Sequence, residues 1–295
     1  MFKHNIGVIV DSFQVGVREG LKKAKEVGAD GVQIYAVKGE FTPAALSPAA
    51  RQEYRNYISS LGLEISALCG DLGGHGFQDV SLNREKIDES KRIMELAKEL
   101  GTDIVTTHIG IVPDDTNSAI YEAMQTACEE LSTFASGMGS YFAIETGPEK
   151  SAHLKQFLDT LSSKGVSVNF DPANMVMVTG DDPVQGVYTL KDYIVHTHAK
   201  DGIQLRPIDP RDVYGFLGYE QGAGMDHEAI AQMVESGDAF REVPLGEGAI
   251  DWKAYLQALH DIGYKGYLTI EREVGTSPEA DIKLAVEFLK KLQNN

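Results

Sequence analysis

The chain carries 295 residues, a formal net charge of −17 at pH 7 and 42% hydrophobic residues. That apolar share argues against disorder and supports one large core, and the length suits a single α/β barrel, typically about 250 residues. The acidic balance argues against a surface built to neutralise a phosphate backbone, so nucleic acid is not an expected partner.

Residues 1–5 run directly into an apolar stretch at 6–10. That run is too short for the hydrophobic region of a signal peptide, and no apolar run reaches membrane-spanning length. A soluble cytoplasmic protein with no membrane partner is expected. Strand-like and helix-period runs then alternate, as βα units do around a parallel sheet. Strands are predicted at 6–10, 31–35, 63–68 and 103–107, then in the runs that begin at Tyr141, Ser167, Ile194 and Tyr267. Eight such strands predict a single-domain (β/α)8 TIM barrel. The intervening helices show apolar residues at three- and four-residue spacing, as in Ile93, Leu96 and Leu100 or Leu256, Leu259 and Ile262. Gly28, Gly101 and Gly263 stand at helix-to-strand joints, where a left-handed cap is needed.

Cys69 and Cys128 are the only cysteines and read as reduced buried thiols. Gly70-Asp-Leu-Gly-Gly-His-Gly76 reads as a flexible turn rather than a phosphate cradle, because no helix start of the right form follows it. Residues 203–246, between the seventh strand and its helix, far exceed a usual βα connection. They are expected to lie over the active face, either as a lid or oligomer contact, with 226–235 able to form a short helix, or as a solvated insertion. A homo-oligomer, dimer or tetramer, is compatible with this reading.

Glu145, Asp171, His198 and Glu271 each close one of the last four apolar runs. Most acids are solvated surface groups. A strand-terminal acid in a parallel barrel instead points into a partly buried mouth, where uncompensated charge is costly. Three acids and an imidazole at such a mouth call for one divalent cation. The oxygen-rich set favours Mn²⁺, with Mg²⁺, Co²⁺ and Zn²⁺ also compatible. Four protein ligands on an ion that accepts about six leave two positions for the adjacent oxygens of a hydroxy-ketone or hydroxy-aldehyde. A small sugar is the expected partner.

The strings Ala143-Ile-Glu-Thr-Gly-Pro-Glu149, Asn169-Phe-Asp-Pro-Ala-Asn174, His196-Thr-His-Ala-Lys-Asp201, Leu245-Gly-Glu-Gly-Ala-Ile-Asp-Trp252 and Gly263-Tyr-Lys-Gly-Tyr-Leu-Thr-Ile-Glu271 together resemble the sugar phosphate isomerase/epimerase superfamily. These xylose-isomerase-like barrels include ketose 3-epimerases, hydroxypyruvate isomerase, inosose dehydratase and the endonuclease IV group. The resemblance implies metal ligation by Glu145, Asp171, His198 and Glu271, and proton transfer by the two glutamates through an enediolate. His108 matches the position of a metal-binding histidine in the endonuclease group and is expected to meet substrate oxygen, and Asn174, Lys200 and Glu149, beside ligand positions, are further candidate substrate contacts. Lys200 would steady a developing oxyanion, Asp201 would orient a neighbour, and Arg272 would turn away from Glu271 by strand alternation. Asn174 stands where the epimerases place a histidine, and the Leu245 string replaces their Pro-Gly-x-Gly, so the sugar itself stays open. Four readings remain: a sugar or sugar phosphate isomerase/epimerase, a lyase of the inosose dehydratase type, an endonuclease IV-like phosphodiesterase and a non-catalytic sugar-binding barrel.

Overall fold

A computed structural model describes residues 3–219, 237–275 and 277–294. Ten strands occur among them: β1 (Asn5–Ile9), β2 (Gly31–Tyr35), β3 (Glu64–Cys69), β4 (Ile104–Thr107), β5 (Tyr141–Glu145), β6 (Val166–Phe170), β7 (Ile194–Ala199), β8 (Asp201–Gln204), β9 (Phe240–Val243) and β10 (Tyr267–Ile270). All but β8 and β9 are parallel and close into a barrel in the order β1-β10-β7-β6-β5-β4-β3-β2. The predicted (β/α)8 architecture is therefore the observed one, with strand ends within a residue of their expected places.

The helices start and stop where local chemistry directs. Ser47, Asp79, Ser118 and Asp251 each cap a helix by accepting a backbone N–H of its first turn. Gly28 and Gly101 end theirs in the left-handed region, at φ 86° and 98°, where a side chain would be strained. The periodic residues Ile93, Leu96, Leu100, Leu256 and Leu259 are buried against the barrel. No helix among the described residues is long and apolar enough to cross a membrane. Both cysteines are free and buried.

Alternation along each strand divides the core in two. Val32, Ile34, Val105, Ile144 and Val168 are fully buried apolar residues. Between them, Gln33, Ser66, Thr106, Asn169, His196 and Thr269 are equally buried and reach one another across the barrel interior. The barrel centre is thus a polar layer, and its members must satisfy one another because water does not reach them.

The long connection after β7 begins as a ribbon in which β8 pairs antiparallel with β9, from Asp201↔Val243 to Gln204↔Phe240. The ribbon starts two residues before the predicted insertion, and the predicted helix at 226–235 falls outside the described residues. Asp201 anchors it by accepting from Gly202 N (2.9 Å), Gly246 N (2.9 Å) and Trp252 Nε1 (2.8 Å). Because Asp201→Ala leaves the buried Gly202 N and Trp252 Nε1 and the part-buried Gly246 N without their acceptor, it should lower unfolding free energy by about 2–4 kcal/mol, read in a urea melt.

Candidate metal centre

The barrel register delivers four ligands to one end. Glu145 is the last residue of β5, Asp171 follows β6, His198 is the penultimate residue of β7 and Glu271 follows β10. Each offers one ligand atom within 4.8 Å of all the others, and all four are buried.

Each side chain is held so that one face remains for the cluster. Asp171 opens the turn Pro172–Asn174, and its Oδ1 accepts from Ala173 N (2.8 Å) and Asn174 N (2.9 Å). Its Oδ2 is buried and makes no hydrogen bond among the described residues. The Thr146 hydroxyl locks this backbone, donating to Asp171 O and accepting from Asp171 N. Glu145 accepts from Asn174 Nδ2 at 2.9 Å and from Asn169 Nδ2 at 3.1 Å. Glu271 accepts from Lys200 Nζ at 3.0 Å, and the same ammonium reaches Glu273.

His198 Nδ1 lies 3.3 Å from Glu271, 3.5 Å from Asp171 and 3.6 Å from Glu145. It is buried and makes no hydrogen bond among the described residues. An orphaned carboxylate oxygen beside an orphaned imidazole nitrogen, both dry, is costly unless a cation joins them. The donor set therefore fits a divalent ion.

Titration reflects the same crowding. Burial works against a charged His198, yet the Glu271 and Glu145 carboxylates outweigh it and raise its pKa well above the usual value. Burial raises the Asp171 carboxyl. At Glu271 burial acts in that direction too, but Lys200 and His198 overcome it and hold the carboxyl well below its usual range.

Of the four expected substrate contacts, the fold brings three to the ligands. His108, Asn174 and Lys200 line one cavity with Glu145, His198 and Glu271. His108 Nδ1 pairs with Asp71 at 3.0 Å, while its Nε2 lies 3.8 Å from Glu145. Burial opposes protonation of this imidazole, but Glu145 and Asp71 raise its pKa to about 9. Glu149 is outside that cavity. It borders a neighbouring cleft with Lys150 and His153, and its Oε2 accepts from Val112 N at 3.2 Å. Arg272 turns away as expected and binds Glu242 and Asp281.

The segment 70–76 departs from its reading as a flexible turn. Lys86 Nζ binds the carbonyls of Gly73 and Gly76, both at 2.7 Å, and a Cβ on Gly76 would stand 1.9 Å from the Ile109 carbonyl carbon. The turn is a packed, cation-tied one.

Sequence reasoning missed several residues. Gln33 and Asn169 address the ligands directly, as a strand-borne amide inside an apolar run could have signalled. Val213, Tyr214 and Phe240 reach the cavity from the insertion, which no local pattern announces.

A closed parallel barrel with acids and an imidazole gathered at its carboxyl-end mouth defines a class of protein. Residues 21–292 match one family within it, and the chain belongs to the xylose isomerase-like TIM barrel family. A xylose isomerase domain protein from Planctomyces limnophilus superposes with a TM-score of 0.76 at 26% identity, covering 99% of this chain and 97% of that one. A D-tagatose 3-epimerase-like protein shares the fold, with a TM-score of 0.70, 19% identity and 98% of each chain covered. An inosose dehydratase from Lacticaseibacillus casei is 25% identical over 176 residues, 58% of this chain and 53% of that protein. The chain thus spans about half the length of the curated relative it matches.

Burial raises the Glu149 carboxyl from 4.5 to about 8. The folded state then holds a proton that the unfolded state releases, so stability is full below about 4.5 and falls as pH rises towards about 8. Thermal melts across pH 5 to 9 should show wild type losing ground to Glu149→Gln, which carries no titrating proton.

Proposed function

We propose that the protein is a divalent-metal-dependent isomerase or epimerase of a small sugar or sugar phosphate, working by proton transfer through an enediolate. The observation that carries the reading is that Glu145 and Glu271 line one cavity with His198, and that the orphaned His198 Nδ1 and Asp171 Oδ2 belong to the same four-residue cluster, with one ligand atom of each residue within 4.8 Å of the others. Glu145, Asp171, His198 and Glu271 would hold the ion, with Mn²⁺ favoured by the donor set. When bound, that ion supplies polarisation of the substrate carbonyl and so acidifies the adjacent C–H.

The remaining work falls to the chain. For isomerisation, the glutamate that removes the proton beside the carbonyl returns it to the neighbouring carbon; for epimerisation, one glutamate removes that proton and the other, protonated at the outset, delivers its own from the opposite face. Lys200, hydrogen-bonded to Glu271, is placed to steady the developing oxyanion. Asn174 holds Glu145 and offers an amide to a substrate hydroxyl. His108, fixed through Nδ1 by Asp71, keeps Nε2 for a substrate oxygen. Family membership and the shared epimerase-like fold support this reading.

One observation favours a second reading, dehydration. An imidazole oriented by a carboxylate can protonate a departing hydroxyl after the same C–H is broken, and the similarity to inosose dehydratase points the same way. Product mass separates the two, since dehydration loses water and isomerisation does not.

Incubation with a panel of ketoses and Mn²⁺ in D₂O should place deuterium beside the carbonyl. Glu145→Gln and Glu271→Gln should each slow that exchange by about 10²–10⁴-fold. A chelator should abolish it and added Mn²⁺ should restore it. A broad panel with neither exchange nor loss of water would overturn the proposal.

A further inference from the structure

We infer that Gln33 and Thr269 are positioning residues for the metal centre, each anchoring a directed hydrogen-bond chain that decides which atom of a ligand faces the ion. The inference rests on the proposed ion at Glu145, Asp171, His198 and Glu271.

Two amides meet His198 Nε2 and call for opposite tautomers. Gln33 Oε1, at 3.2 Å, can only accept a proton from it, whereas Asn169 Nδ2, at 3.3 Å, can only donate one to it. The choice is settled one bond further out. Asn169 Nδ2 is drawn to Glu145 Oε2 at 3.1 Å, because a carboxylate only accepts. Its Oδ1 takes the His196 Nδ1 proton at 2.8 Å, which obliges His196 Nε2 to accept the Thr269 hydroxyl at 3.0 Å. On the other side, Gln33 Nε2 donates to Thr106 Oγ1 at 3.2 Å, so Oε1 is the atom it presents to His198. In the ion-loaded centre His198 would then keep its proton on Nε2 and offer the Nδ1 lone pair to the ion between the three carboxylates, towards which Nδ1 already points.

Backbone geometry supports the assignment independently. The β2–β3 pairing shifts register between Val32 and Gln33, and the β6–β7 pairing between Val168 and Asn169. A register shift re-aims the side chain that follows it, and in both strands that side chain is an amide addressing His198. Gly7 makes room for the second chain, since a Cβ there would stand 2.6 Å from Thr269 Oγ1.

Neither Gln33 nor Thr269 is a ligand, so the test reads ion affinity rather than turnover. Calorimetric Mn²⁺ titration of stripped protein should show binding weakened about 10–100-fold in Gln33→Leu and about 10-fold in Thr269→Val. Thr269→Ser and Gln33→Glu, which retain the hydroxyl and the acceptor, should bind at least nearly as well as wild type. Long-range proton–nitrogen NMR of Zn²⁺-loaded wild type should place the metal on His198 Nδ1 and the proton on Nε2. The metal on Nε2, or wild-type Mn²⁺ affinity in folded Gln33→Leu and Thr269→Val, overturns the inference while leaving the metal centre standing. A wild-type protein that takes up no ion removes the metal centre itself, and this inference with it.

Discussion

Three carboxylates converging on one buried imidazole is the constraint to which the rest of this structure answers. At the contact distances in the cluster, each like-charged pair repels by roughly 4 kcal/mol in the effective dielectric of a protein interior. Burial adds a desolvation cost for every charge. Lys200 sits on Glu271 but is shared with Glu273, and His108 lies 3.8 Å from Glu145. A protonated His198 relieves part of the repulsion, which is why its pKa climbs against burial. A divalent ion would relieve it more completely, because it would satisfy the two orphaned atoms at once.

A closed parallel barrel assembles such a cluster from the ends of short strands. Parallel register brings β5, β6, β7 and β10 to one rim, so residues separated by more than a hundred positions become neighbours. The same closure seals a polar layer beneath the rim, where each donor must find an acceptor inside the protein. That layer gives the ligands their directions. Above the rim, the β8–β9 ribbon does comparable work through Glu242, which binds Arg272 and the Glu273 N–H and so steadies the segment that carries Glu271.

Much of the fold was legible because its signals are local. β-branched and aromatic runs and glycine joints each act within a few positions, and Gly28 and Gly101 take the left-handed cap conformation expected of them. Glu145, Asp171, His198 and Glu271 were legible for a related reason: a strand-terminal acid has few other places to point. Glu149 was less tractable. Its nearness to Glu145 along the chain suggested a shared cavity, but the backbone carries it to Val112 and a separate cleft.

The sequence by itself determined the barrel, the order of its strands and the identity of the four groups at its mouth, since each follows from short-range pattern and from the parity of a strand. Tertiary structure alone decided which atom of each group faces inward, that Gln33 and Asn169 would compete for His198, and that Tyr214 and Phe240 would reach the cavity. Those outcomes depend on register shifts and on contacts between distant strands. Hydrogen-bond direction is a property of a closed network, and the network exists only once the barrel has shut.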